Sequence, residues 1–108
     1  MSVPLLQDKV VVVTGAGRGI GRGIAIMAAG HGAKVVVNDL GGAEDGSGSD
    51  SRPADEVVSE ITNAGGEAVA SYATVTDWDA AHEIVETALS FFGRIDAVVN
   101  NAGNLRDA

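Results

Sequence analysis

Cysteine is absent from this 108-residue sequence, which removes disulfides, a thiolate nucleophile and any cysteine-held zinc. Nothing in the composition asks for an oxidising compartment, so a cytoplasmic setting is expected. Basic residues are scarce: seven Lys and Arg against fifteen Asp and Glu leave a net charge of -8. That balance disfavours a nucleic-acid partner, because such binding needs cations to replace phosphate counterions. Long apolar runs are missing too. The longest, Ile24 to Ala29, and the valine run Val10 to Val13 are far short of a signal-peptide core or a membrane span, and Met1 to Asp8 lacks a basic leader. No targeting segment and no membrane partner are expected. Aromatic residues are only 4%, with a single tyrosine, Tyr72. What is present, 45% apolar residues among mixed polar ones, is the composition of one globular domain.

The apolar residues alternate between two patterns. Val10 to Val13 and Val35 to Val37 are continuous β-branched runs, as expected of strands buried on both faces of a parallel sheet. Glu67 to Tyr72 and Ile95 to Val99 read as two further strands. Between them, Ile20, Ile24, Met27 and Ala28 fall on one face of a first helix that Gly30 and Gly32 end. Ala54, Val57, Val58 and Ile61 form the stripe of a second helix, opened near Pro53 and closed at Ala64-Gly65-Gly66. A third helix starts behind Thr76, with Asp79 as the acidic N3 residue. Its expected buried face is Ala81, Ile84, Val85, Ala88, Leu89 and Phe92, and Gly93 stops it. A Gly, Ser and Asp-rich loop runs from Gly41 to Ser51. Strands and helices alternating with short connections imply an α/β fold: a parallel sheet of about four strands in the order 3-2-1-4, with helices on both faces.

The chemistry sits after the first strand. Thr14-Gly15-Ala16-Gly17-Arg18-Gly19-Ile20-Gly21 places Gly15, Gly19 and Gly21 between that strand and the first helix. Gly15 allows a tight turn, Gly19 lets the backbone approach a pyrophosphate, and Gly21 permits close helix-to-strand contact. The helix N-terminus then offers oriented N–H groups to the anion. A ligand-free glycine-rich turn is the structural alternative, and the strand-then-helix context favours the dinucleotide. Asp39 follows Gly21 by eighteen residues, at the end of the second strand, where an acid can accept from the adenosine ribose hydroxyls. A 2′-phosphate about 4 Å away would meet repulsion of roughly 1 kcal/mol per unit charge in water and about 4 at an effective dielectric of 20. NAD is therefore expected over NADP, although Arg18 could partly neutralise a phosphate.

T-G-x-x-x-G-x-G at Thr14 to Gly21, Asp39 after the second strand and Asn100-Asn101-Ala102-Gly103 after the fourth resemble the short-chain dehydrogenase/reductase family over nearly the whole chain. The resemblance implies a partial Rossmann fold: residues 1–108 are the N-terminal, dinucleotide-binding half of one domain, cut short of the rest. It also implies that Asn100 to Gly103 brace the sheet and contact the cofactor beside the ribose. Family members carry Asp-Val after the third strand to read adenine, whereas this chain has Ala73-Thr74-Val75, so Thr74 and the Val75 backbone are the substitutes. The implied cofactor-binding set is Gly15, Arg18, Gly19, Ile20, Gly21, Asp39, Leu40, Thr74, Val75, Asn101, Ala102 and Gly103. Val36 to Gly42 and Asn101 to Asp107 are similar more narrowly to the 3-hydroxyacyl-CoA dehydrogenase module of peroxisomal multifunctional enzymes and bacterial relatives. That similarity suggests an acyl-thioester substrate.

The family's catalytic set is a Ser, an Asn and a Tyr-x-x-x-Lys pair, and none can be placed here. Four residues after Tyr72 stands Thr76, and the two lysines, Lys9 and Lys34, lie far upstream. Without a positioned acid/base a dehydrogenase loses much of its rate, so the segment alone is expected to be inactive. His31 reads as a helix-ending cap, His82 as part of a solvated helix face, and Trp78, Phe91 and Phe92 as packing groups. No metal cluster stands out. Two functions remain in play: the NAD-binding segment of a longer oxidoreductase, homo-oligomeric as a whole, acting on a secondary alcohol or carbonyl, or a stand-alone nucleotide-binding or regulatory module without turnover.

Overall fold

Valines on alternating sides of two adjacent strands create two cores at once. In the computed structural model, which describes residues 5–17, 19–39, 52–72 and 78–101, β1 (Val10–Thr14) pairs in parallel with β2 (Lys34–Asn38). Val11, Val13, Val35 and Val37 face a cluster that includes Ala25, Ala28, Ala54, Val57 and Ile61. Val10, Val12 and Val36 face the other way, onto Ile84 and Ala88. Helices α1 (Gly19–Gly30) and α2 (Arg52–Asn63) thus cover one side and α3 (Trp78–Phe92) the other. Each fully buried valine contributes about 1.5 kcal/mol or more.

The sheet is completed by β3 (Glu67–Ser71) and β4 (Ala97–Asn100), giving the order β3-β2-β1-β4 with all pairs parallel, as expected. At its lower end, the Asp96 carboxylate accepts from the Val10 N–H at 2.8 Å and from Arg94 at 2.6 Å. Arg94 first, and then the Val10 N–H, hold that carboxyl below the usual aspartate range. The helix stops also follow the glycines: Gly32, Gly65 and Gly93 all have positive φ, and Ala33 N–H closes α1 by donating to Ala28 O at 3.1 Å.

Two helix faces depart from the periodicity. In α1 the buried residues are Gly21, Ala25 and Ala28, while Ile20 and Met27 are 75% and 60% exposed. Small side chains face the sheet because Gly21 sits directly against the Gly15 carbonyl, leaving no room for larger groups at that end. In α3, Ile84 and Ala88 are buried as expected, but Val85 and Leu89 are exposed. They lie on the outer side, where β4 is the last strand and, among the described residues, nothing pairs with its far edge. Phe91 is likewise exposed rather than packed, whereas Phe92 packs against the second core. The expected cap at Thr76 lies outside the described residues, as does the loop from Gly41 to Ser51.

Candidate functional site

Because every strand runs the same way, their C-terminal ends meet along one edge, and there the side chains turn polar. Ser71, Asn38, Thr14 and Asn100 stand in register across β3, β2, β1 and β4. Ser71, Asn38 and Thr14 are buried, so their polar groups need partners. Asn38 Nδ2 donates to Ser71 Oγ at 3.2 Å and lies 3.3 Å from Ser71 O. The Thr14 hydroxyl lies 3.1 Å from Asn100 Oδ1 and 3.4 Å from Val99 O, and accepts from the Asn101 N–H at 2.9 Å. No described buried side-chain polar atom lacks a partner.

The glycine loop rests on this row. Ala16 N–H donates to Asn38 O at 2.9 Å on the β2 side, and Asn101 Nδ2 lies 3.4 Å from Gly15 O on the β4 side. Gly15 and Gly19 both have φ +63°, a conformation that favours glycine. Among the described residues a Cβ on Gly19 would meet nothing within 4 Å, which leaves space above it for a ligand. A Cβ on Gly21 would lie 2.1 Å from Gly15 O and 2.8 Å from Asn101 Nδ2, which makes glycine obligatory where α1 approaches the loop. Helix α1 has no acid in its first turn, and its unpaired N–H groups favour an anion there.

Asp39 completes the arrangement. Its N–H donates to Ser71 O at 3.0 Å, and its Oδ2 accepts from the Gly17 N–H at 2.6 Å. The structure thus brings together Gly15, Gly19, Ile20, Gly21, Asp39 and Asn101 from the expected set. Arg18, Leu40, Thr74, Val75, Ala102 and Gly103 lie outside the described residues. Sequence reading passed over Gly17, which contacts the acid, and the Asn38–Ser71 pair that fixes where the acid starts. For Gly17, its place one residue after Ala16 in a loop facing an acid-ended strand was the available signal. For Asn38, a polar residue closing a valine run was.

The groups outside the edge are structural. Tyr72 is hydrogen-bonded to Asp55 of α2, which first by that bond pushes its phenol up from the ordinary value, with burial and the Asp55 charge adding to the shift. His82 is exposed and 3.9 Å from Glu86, and His31 follows the last turn of α1, its N–H bonded to Ala28 O at 3.0 Å. Among the described residues no group of His, Cys, Asp or Glu could hold a metal, and no helix is long and apolar enough to cross a membrane.

Comparison with known proteins matches this geometry to one family. The family model described as short chain dehydrogenase matches residues 9–108. A short-chain type dehydrogenase/reductase of Mycobacterium tuberculosis is 58% identical over 105 residues, covering 97% of this chain and 37% of the relative. The peroxisomal multifunctional enzyme type 2 of Mus musculus is 56% identical over 108 residues, covering 99% of this chain and 14% of that enzyme. The chain therefore spans less than two-fifths of these relatives' length. A short chain dehydrogenase from Mycobacterium avium superposes with a TM-score of 0.83 at 52% identity, covering 92% of this chain and 36% of that one. Hydroxysteroid dehydrogenase from Escherichia coli gives 0.81 at 38% identity, covering 93% and 39%. With a family model matching from Lys9 to the last residue and the polar strand-end edge in place, the chain belongs to the short chain dehydrogenase family.

Proposed function

We propose that this chain is the dinucleotide-binding front half of an NAD-dependent oxidoreductase that moves hydride between nicotinamide and a secondary alcohol or carbonyl. The observation that carries the reading is Asp39 held against the glycine loop beside the α1 N-terminus. A carboxylate and an anion-seeking helix end side by side suit a ligand with a vicinal diol and a phosphate a few bonds apart, which is a nucleotide ribose with its pyrophosphate. Gly15, Gly19, Ile20 and Gly21, with Arg18, would line the pyrophosphate. Asp39 with Leu40 would take the ribose, Thr74 and Val75 the adenine, and Asn101 to Gly103 the inner flank. The open space over Gly19 fits this assignment. When bound, the nicotinamide supplies the hydride acceptor or donor.

The resemblance of Val36 to Gly42 and Asn101 to Asp107 to a 3-hydroxyacyl-CoA dehydrogenase module makes a 3-hydroxyacyl thioester the proposed substrate of the whole protein. Similarity to peroxisomal multifunctional enzymes and to Peroxisomal hydratase-dehydrogenase-epimerase of Saccharomyces cerevisiae is in keeping with a dehydrogenase of that kind. A cytoplasmic, homo-oligomeric whole protein is the accompanying reading. Two observations favour binding without turnover by these 108 residues themselves: the single tyrosine is engaged by Asp55, and Lys34 lies beside Glu67 at 3.8 Å. Neither is arranged as an acid/base pair. Calorimetric titration with NAD⁺ and NADP⁺, beside an NADH-linked assay, tests both parts. Tighter NAD⁺ binding with no turnover is expected, and Asp39→Ala should narrow the NAD⁺ preference. Tighter NADP⁺ binding would sink the cofactor assignment, and turnover would sink the inactive-segment reading.

A further inference from the structure

We infer that Gly17 is a positioning residue for coenzyme choice, its backbone N–H fixing the Asp39 carboxylate so that residues 17 and 39 discriminate a free from a phosphorylated ribose 2′-hydroxyl as one unit. The inference rests on the dinucleotide reading above. Gly17 is buried in the β1–α1 loop, and it is not among the positive-φ glycines, so backbone freedom does not explain a glycine there. Space does. A Cβ at this position would lie 2.4 Å from Asp39 Oδ2, 2.9 Å from Asp39 Cγ and 2.6 Å from Pro53 Cβ. Two of these three atoms belong to the acid.

The surroundings decide which group would yield to such a methyl. The main chain of Asp39 is tied to Ser71 O, and that of Asn38 to Ala16 N–H, while Pro53 is a rigid ring in the first turn of α2. The carboxylate, turning about its side-chain bonds, is the softest of these. A methyl at residue 17 therefore displaces Oδ2 and breaks the 2.6 Å N–H···O⁻ bond, with no change to the acid's charge or to its place on β2. An ionised carboxylate has about four lone-pair sites, and the Gly17 bond fixes the direction of one of its oxygens. Recognition of a diol depends on that direction, since hydrogen bonds weaken steeply away from linearity. Repulsion of a 2′-phosphate depends on the same fixed charge.

The test is calorimetric titration of wild type, Gly17→Ala, Asp39→Ala and the double variant with NAD⁺ and NADP⁺, with circular dichroism as the control for folding. Gly17→Ala should weaken NAD⁺ roughly tenfold, the scale of one charge-assisted hydrogen bond, and NADP⁺ by much less. The double variant should be no weaker for NAD⁺ than Asp39→Ala. A wild-type NAD⁺ to NADP⁺ ratio in folded Gly17→Ala, or losses that multiply in the double variant, overturns the inference. If Gly17→Ala fails to fold, the Gly17 amide proton in the NMR spectrum of Asp39→Ala decides. It should move upfield of its wild-type position, and an unmoved resonance overturns the contact. Wild type binding neither dinucleotide would defeat the dinucleotide reading itself and this role with it, whereas wild-type binding with an indifferent Gly17 defeats this role alone.

Discussion

Within seven residues across the β1–α1 loop and the first turn of α1, glycine serves three different physical needs. Gly15 and Gly19 adopt φ +63°, Gly17 leaves space for a carboxylate, and Gly21 leaves space for a carbonyl oxygen. Substitutions should separate these needs. Gly21→Ala forces a Cβ against the Gly15 carbonyl and should cost about 1–3 kcal/mol in urea denaturation, the usual penalty for overpacking. Gly19→Val meets open space, so its fold cost is the left-handed backbone, about 1–2 kcal/mol, while its side chain fills the proposed pyrophosphate position. It should abolish dinucleotide binding in a chain that still folds, and unchanged affinity there would refute the phosphate site. Spacing made Gly15, Gly19 and Gly21 legible, because each answers to a local turn, helix start or strand contact. Gly17 was not, since what makes it matter is a side chain 22 residues away.

At the level of elements, the strands were the easiest to read. β-Branched runs such as Val10–Val13 are buried on both faces, so every residue carries the signal. Helix faces were harder, because periodicity finds a stripe but not which side meets the sheet. In α1 the expected face holds at Ala28, which is buried, and at Ile24, which packs against the core, but Ile20 and Met27 are exposed and the small Ala25 takes their place against the sheet. The pairing of α2 with the end of β3 has a measurable signature. Tyr72 bonds to Asp55, which raises its pKa, so the phenol holds its proton longer in the folded chain than in the unfolded one. The stability from this bond is present below the unfolded value of about 10 and is lost as the pH rises through the folded value. Because Tyr72 is the single tyrosine, absorbance at high pH reports it alone. Its midpoint should lie above about 10 and fall back in Asp55→Asn. An identical midpoint in both proteins would remove the tie from the account of this fold.

For the whole molecule, strand order followed from alternation of elements, and the open side of the sheet from that order. Among the described residues β4 pairs with β1 alone, Val98 is 56% exposed, and Val85 with Val98 lines a groove of about 250 Å³. An apolar strand edge of this kind is a template for pairing with another chain. Light scattering on purified 1–108 should therefore show association that grows with concentration, and Val98→Lys should reduce it. A monomer at all concentrations would mean that this edge is protected. The row Ser71, Asn38, Thr14 and Asn100 has a different consequence, one of timing. Asn38 clamps Ser71, Thr14 takes the Asn101 N–H, and Asp39 and the glycine loop hang from the same bonds. These amides are linked so that no strand end can fray without loosening its neighbours, and they should exchange with solvent as a single cooperative unit. A ligand seated on that edge would then slow exchange across all four strand ends together, by the same factor with which it stabilises the closed form.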